Sequence, residues 1–142
     1  MNSRLSMNIR EKYGFCYNIE SNYTSFSDTG VFGIYLGTEQ ENIERTLALV
    51  HKELNKFRND KLGTLQLHRA KLQLIGQLAI SYEQSLNEML TMGKSFLEFN
   101  KVDSMEEINT KIESITTSQI LDAANEIFAP EQLSTLIYRS DK

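Results

Sequence analysis

Residues 14–38 read GFCYNIESNYTSFSDTGVFGIYLGT, and this stretch decides the fold. Two runs rich in aromatic and β-forming residues flank SDTG at 27–30, which is a typical turn sequence. In the second run Phe32, Ile34 and Leu36 alternate with other residues, so they would lie on one face of a strand. The pattern predicts an antiparallel hairpin over about 14–38.

A helix is predicted before the hairpin, over residues 3–12, and Gly14 is placed to end it. Leu5 and Ile9 are four residues apart, which puts them on one helical face, and Arg10 lies in the last turn, where a cation suits the helix dipole. Since this pattern is present from the first residues, we expect the chain to begin inside an element. Upstream strands of the domain would then be missing.

Helices are predicted for most of the chain after the hairpin. Thr38 and Glu41 have the spacing of a capping box, and the helix behind them should end near Asn59. Its apolar stripe, which suits packing on the hairpin, is formed by Ile43, Leu47, Val50, Leu54 and Phe57. Residues 64–99 are helical in composition but long for one helix, so a break is expected near Ser81–Ser85.

Two further capping boxes, Ser104 with Glu107 and Thr116 with Gln119, predict two short helices. LSTLIYR at about 133–139 reads as a final strand. The order of elements predicts an α+β fold, with a mostly antiparallel sheet covered on one face by several helices. All 142 residues are expected to belong to one partial domain.

Composition excludes some classes of function. The net charge of −4 and the scattered basic residues argue against nucleic acid as a partner. No apolar run approaches the roughly 20 residues that span a bilayer, and residues 1–10 lack the apolar centre of a signal peptide. If the natural N-terminus is missing, the compartment stays open, with a bacterial cytoplasm or periplasm both compatible.

Few residues offer catalytic or metal-binding chemistry. His51 and His68 have no histidine three or four residues away, so we expect surface or boundary residues of helices and no metal site. Cys16 falls in a strand-like run and is expected to be buried and inert. The acids Glu41, Glu44 and Glu53 are expected on the solvated face of a helix, and Met89, Met92, Phe96 and Phe99 are expected in the core.

The run from residue 2 to residue 38 closely resembles the C-terminal domain of pitrilysin-like zinc metallopeptidases, which include the mitochondrial processing peptidase. The motifs that carry the resemblance are Ser3-Arg4-Leu5, Arg10-Glu11-Lys12, Gly14, Tyr17, SDTG at 27–30 and the strand from Phe32 to Thr38. The similarity continues in order through KLQLIGQLAISYE, LTMGKSFL and ITTSQILDAANEIF to LSTLIY.

The resemblance implies a domain without the catalytic metal. In these peptidases zinc is held by an inverted H-x-x-E-H helix and a distant glutamate in another domain, and this chain has no such motif. The chain alone should therefore bind no zinc and cut nothing. Its implied partners are the catalytic half of a peptidase, on the same or a separate chain, and a peptide substrate. An isolated chain with uncovered apolar surface is expected to form a homo-oligomer.

The resemblance also assigns roles to two residues, Arg10 and Tyr17. In the family's non-catalytic half, an arginine at the end of this helix and a tyrosine in the next strand reach into a closed chamber, where they help to bind the peptide and the oxyanion. An arginine can fork onto carbonyls, and a tyrosine hydroxyl can donate to a developing negative charge.

Other interpretations of these residues remain open from the sequence. Arg10 could cap carbonyls at its helix end, and Tyr17 could be a core aromatic that alternates with Phe15 and Ile19. The whole chain could instead be a scaffold domain that completes an assembly of an inactive homologue and touches no substrate.

Overall fold

The computed structural model describes residues 3–139, which divide into two compact units. The first unit contains the described residues up to Asp60 and those from Leu121 onward, and the second is Lys61–Ile120. The α-helices are α1 (Ile43–Asn59), α2 (Thr64–Tyr82), α3 (Ser85–Phe99), α4 (Met105–Ser114) and α5 (Thr117–Ile127). With the two-stranded sheet described next, they confirm the predicted α+β class.

The predicted hairpin is confirmed as strands β1 (Cys16–Ser25) and β2 (Gly30–Thr38), which pair antiparallel. Ile19 lies opposite Leu36, so two apolar residues of the neighbouring strands are directly paired. The turn is closed by a hydrogen bond of 2.8 Å from the Phe26 amide to the Thr29 carbonyl. The SDTG sequence thus ends one strand and begins the next, as its composition predicts.

A short N-terminal helix precedes the hairpin, and its Ser6–Glu11 segment is π-helical, a wider form that the sequence did not predict. Gly14 follows it with φ of +67°, a backbone conformation that other residues rarely adopt. Its amide donates to the Arg10 carbonyl at 2.9 Å. The glycine therefore ends the helix, as predicted, and turns the chain into β1.

The core of the first unit lies between the hairpin, the N-terminal helix and α1. Its buried members are Leu5, Ile9, Cys16, Ile19, Val50 and Leu54, and Ile34 and Leu36 of β2 pack against them half-buried. Two of the predicted stripe residues of α1, Val50 and Leu54, are among them. The predicted helix-on-sheet packing is thus present for α1, and the predicted end near Asn59 is confirmed.

Glu53 corrects the expectation that its carboxylate lies on the solvated face of α1, because it is buried against the N-terminal helix. Its carboxylate accepts hydrogen bonds from Arg4 at 3.3 Å, Asn8 at 3.0 Å and Lys56 at 2.7 Å. Burial raises the pKa of Glu53, but these hydrogen bonds and the charges of Lys56 and Arg4 outweigh it and hold the pKa below its usual value. The partners stabilise a buried charge that would otherwise be costly.

The predicted capping box at Thr38 is wrong. Thr38 is the last residue of β2, and its hydroxyl donates to the Phe15 carbonyl instead of capping a helix. A 3-10 turn, Gln40–Asn42, leads into α1, which begins at Ile43. Thr38 lies opposite Cys16 in the sheet, so it belongs to the strand and does not cap the helix.

In the second unit, α2 ends at Tyr82 and α3 begins at Ser85, so the predicted break is confirmed. The second capping box is also confirmed, since the Ser104 amide donates to Glu107 at 2.7 Å and the Glu107 amide to the Ser104 hydroxyl at 3.2 Å. The third box forms in the same way between Thr116 and Gln119. Local capping chemistry was thus sufficient to place these helix starts.

The expected core role of the methionines and phenylalanines of α3 is wrong. Their side chains are exposed, as are many apolar residues of α2 and α3: Leu65, Leu72, Ile80, Leu86, Met89, Leu90, Met92, Phe96, Leu97 and Phe99. Helical periodicity places such residues on a common face, but only a packed neighbour buries that face, and the second unit supplies none for them.

The predicted strand over 133–139 is also wrong, because these residues form no strand in the structure. A strand requires a hydrogen-bonded neighbour, and within residues 3–139 the sheet has only β1 and β2. Leu133 packs half-buried against the core, while Tyr138 is exposed and Arg139 pairs with Glu44 of α1 at 3.3 Å. None of the helices among the described residues is both long and apolar enough to cross a bilayer.

Candidate functional site

The corner between the N-terminal helix and β1 carries the two residues singled out by the sequence. Arg10 lies in the last turn of the helix, and Tyr17 lies one residue into β1. Gly14, with its positive φ, makes the reversal between them. The helix that carries Arg10 and the strand that carries Tyr17 also contribute Ile9 and Ile19 to the buried core. The corner is therefore anchored in the core on both sides.

Arg10 is partly exposed, and its guanidinium makes a weak contact with the protein. Its Nε lies 3.4 Å from Glu11 Oε1 in a solvent-exposed ion pair, a type of contact that contributes about 0–1 kcal/mol. Among the described residues, no hydrogen bond joins its guanidinium to a carbonyl at the helix end. The interpretation of Arg10 as a helix cap is therefore not what the structure shows.

Tyr17 is not a core aromatic, since 72% of it is exposed. A β-bulge between Cys16 and Asn18 interrupts the alternation of β1, so that Cys16 and Ile19 are the buried residues and Tyr17 faces outward. Strict alternation would have buried Phe15, Tyr17 and Ile19 together. The bulge is the local reason why this tyrosine is exposed.

The Tyr17 hydroxyl donates a hydrogen bond of 2.7 Å to Glu39 Oε1. This bond, together with the negative charge of Glu39, raises the pKa of Tyr17, so the phenol stays protonated. Sequence reasoning missed Glu39. The signal that the sequence offered is the position of Glu39 directly after β2, whose end pairs with the start of β1.

Arg10 and Tyr17 share a corner but do not bond to each other in the described part of the chain, because each contacts a different acid. The charge of Arg10 also acts on Cys16, the neighbour of Tyr17 in β1. Burial raises the pKa of the Cys16 thiol, and the charge of Arg10 lowers it, with a net upward shift. The thiol is thus buried and protonated, as expected for an inert cysteine.

The described residues do not fit a zinc site. No group of three His, Cys, Asp or Glu side chains within residues 3–139 is arranged to hold a metal ion. His51 and His68 are exposed on α1 and α2, as predicted. What the corner offers is a guanidinium and a neutral phenol held by a carboxylate, a set suited to hydrogen bonding with a peptide backbone.

Comparison with known proteins gives a consistent family. The sequence model described as "Peptidase M16 inactive domain" matches residues 1–74, which include the whole corner and the hairpin. An uncharacterized zinc protease of Rickettsia felis is 33% identical over 141 residues, covering 99% of this chain and 34% of that protein. A probable mitochondrial-processing peptidase subunit beta of Schizosaccharomyces pombe is 32% identical over 128 residues, covering 89% of this chain and 27% of that protein.

Among solved structures, the fold is similar to a chain of complex III from Candida albicans, with a TM-score of 0.78 and 21% identity over 89% of this chain and 30% of that chain. At this identity the likeness concerns the fold alone. The chain spans only 27–34% of the length of the curated relatives described above.

Proposed function

Because the chain belongs to the M16 peptidase family, in which it matches the inactive domain, we propose that it is the substrate-binding, non-catalytic part of a zinc endopeptidase. Its partner is the catalytic half of the peptidase, on the same or a separate chain, and the metal belongs to that half. Arg10 and Tyr17 bind the peptide substrate. The observation that carries the proposal is the exposed corner, where Tyr17 is turned outward by a bulge and Arg10 is weakly paired.

The two side chains have complementary chemistry for a peptide. The Arg10 guanidinium presents several N–H donors in a rigid fork that matches carbonyl or carboxylate oxygens. Tyr17 adds a hydroxyl on a stiff ring, so little conformational entropy is lost when it is bound. Both are mounted on elements anchored in one core, which keeps them close to a binding geometry before the peptide arrives.

The test is peptide turnover by the assembled peptidase that contains this chain. We expect Arg10→Ala to raise KM about tenfold, because a charge-assisted hydrogen bond contributes about 1.5–3 kcal/mol, and Tyr17→Phe to raise it about fivefold. Lys12→Ala, which removes an exposed cation of the same turn, should change KM less than twofold. Unchanged KM and kcat for both site variants, with assembly intact, would contradict the proposed role.

A second candidate function is a scaffold that completes an assembly and touches no substrate. The exposed apolar side chains of α2 and α3 favour it, since large apolar surfaces on soluble proteins are usually covered by a partner. The turnover of the Arg10 and Tyr17 variants separates the two functions, because a pure scaffold requires neither side chain.

The same apolar side chains lead us to propose that the isolated chain associates with copies of itself. Light scattering at high concentration should then give a mass above 16.3 kDa, and Leu86→Lys together with Leu97→Lys should shift it toward the monomer. Lys94→Glu, a charge change on α3 that removes no apolar surface, is the control and should leave the mass unchanged. A monomer at all concentrations would refute self-association.

A further inference from the structure

One buried carboxylate connects the N-terminal helix to α1. Glu53 of α1 is 5% exposed, and its Oε2 accepts hydrogen bonds from Arg4 at 3.3 Å and from Asn8 at 3.0 Å, both in the N-terminal helix. Its Oε1 accepts from Lys56, which lies three residues further along α1. Oε1 is thus bonded within α1, and Oε2 is bonded across the contact between the two helices.

Arg4 is held on two sides by residues of α1. Its guanidinium carbon lies 4.4 Å from the centroid of the Phe57 ring, and Phe57 follows Glu53 by four residues, which places both on one face of the helix. A guanidinium keeps its charge in acid and at neutral pH. Acid therefore changes only the Glu53 side of this ion pair and leaves the contact between Arg4 and Phe57 in place.

The apolar contacts of the N-terminal helix do not depend on pH. Leu5 and Ile9 of the helix are buried in one cluster with Val50 and Leu54 of α1. The helix is therefore docked in two ways, through apolar side chains that carry no titratable group and through the Glu53 carboxylate. A proton can change only the second of these contacts.

We infer that Glu53 is a pH-sensitive switch, in which protonation of the carboxylate breaks the bonds to Arg4 and Asn8 and loosens the N-terminal helix from α1. The neutral acid carries a hydrogen on one oxygen, so a donor then faces the N–H donors that surround it. The acid also loses its attraction to Arg4 and Lys56, which are the charged groups that contact Glu53 among residues 3–139. Asn8 is neutral at every pH.

The switch operates in acid and not near neutral pH. Burial raises the pKa of Glu53, but the bonds from Lys56 and Asn8 and the charges of Lys56 and Arg4 bring it below its usual value. The unfolded chain therefore binds this proton at a higher pH than the folded chain does. The stabilisation is complete above the unfolded pKa of about 4.3 and is lost as the pH falls through the lower pKa of the folded state.

The experiment is urea unfolding of the full chain, as wild type and as Glu53→Gln, at a series of pH values from neutral downward. Glutamine keeps the shape and one oxygen acceptor but has no charge at any pH. At neutral pH the variant should have an unfolding equilibrium constant about tenfold higher than the wild type, because hydrogen bonds to a charged group are the stronger ones. This ratio should fall below about threefold at the acid end of the range in which the wild type is folded.

Glu44→Gln is the matched control. Glu44 also lies on α1 and pairs with a cation, Arg139 at 3.3 Å, but its side chain is 79% exposed. Because exposed ion pairs contribute little, its unfolding constant should stay within about twofold of the wild type at every pH.

Amide hydrogen exchange locates the loss of stability within the chain. In the wild type, acid should lower the protection factors of Ser6–Glu11 at least about fivefold more than those of β2, since the opening is local to the N-terminal helix. In Glu53→Gln this difference between helix and strand should not depend on pH.

Three outcomes would overturn the switch. A ratio that stays about tenfold at every pH would show that the shape of Glu53, and not its charge, holds the helix. Equal unfolding constants for Glu53→Gln and the wild type at neutral pH would show that the carboxylate does not stabilise the docking. A loss of protection that is uniform over the N-terminal helix and β2 would show that acid does not act on the helix contact.

Discussion

Ile9→Ala is expected to lower the free energy of unfolding by about 3 kcal/mol, the largest stability effect that we predict for a single substitution. Ile9 is 0% exposed and packs within the cluster that joins the N-terminal helix to the hairpin and α1. The substitution loses the transfer free energy of the removed methyl and methylene groups and leaves a cavity that its neighbours fill only in part.

Met7→Ala is the matched control for this prediction. Met7 lies in the same π-helical segment but is 50% exposed, so its truncation should cost less than about 0.5 kcal/mol. Urea unfolding of both variants, compared with the wild type at equal m-value, gives the two differences. Equal losses for Met7 and Ile9 would show that the N-terminal helix is not docked on the core as described.

The hairpin could be predicted from the sequence because its information is local. Phe32, Ile34 and Leu36 alternate, and a four-residue turn sequence separates the two strands, so both periodicity and turn chemistry indicate the same structure. The capping boxes at Ser104 and Thr116 succeeded for the same reason. Each depends on atoms within three residues of one another.

The predictions that were wrong concern residues whose surroundings are formed by residues distant in the sequence. Glu53 was placed in solvent because its partners Arg4 and Asn8 lie more than forty residues away in sequence. Thr38 looked like a helix cap until its strand partner was known. The apolar residues of α3 were assigned to a core because periodicity shows that a face exists but does not show whether anything covers it.

The candidate site could be predicted in part. Arg10 and Tyr17 were singled out by a resemblance to a family, and the structure adds why Tyr17 is exposed, namely a bulge that no single-residue propensity indicates. Glu39 was missed, since its bond to Tyr17 joins residues 22 apart in sequence and depends on the strand register. The role of Arg10 and Tyr17 in peptide binding stays a prediction.

The second large effect concerns binding of the peptide itself. Removing both hydrogen-bonding groups, in the double variant Arg10→Ala/Tyr17→Phe, should weaken the affinity of the assembled peptidase for a peptide about fiftyfold, the product of the two single effects. The reason is that two separate hydrogen-bonding groups, together contributing about 2.3 kcal/mol, are lost from a corner that is otherwise unchanged. The loss should appear in equilibrium binding and not only in turnover.

The control is Lys12→Ala/Tyr23→Phe, which removes an exposed cation beside Arg10 and the hydroxyl of an exposed tyrosine near the hairpin turn. It deletes the same kinds of group as the test variant, a cation and a tyrosine hydroxyl, but leaves Arg10 and Tyr17 unchanged. Its affinity should stay within twofold of the wild type.

The most direct measurement is the dissociation constant of a fluorescent, non-hydrolysable peptide for the assembled peptidase, with assembly verified for each variant. We expect a dissociation constant about fiftyfold higher for Arg10→Ala/Tyr17→Phe than for the wild type and for the control. A dissociation constant within twofold of the wild type, with assembly intact, would contradict substrate binding by this corner and leave the scaffold function in its place.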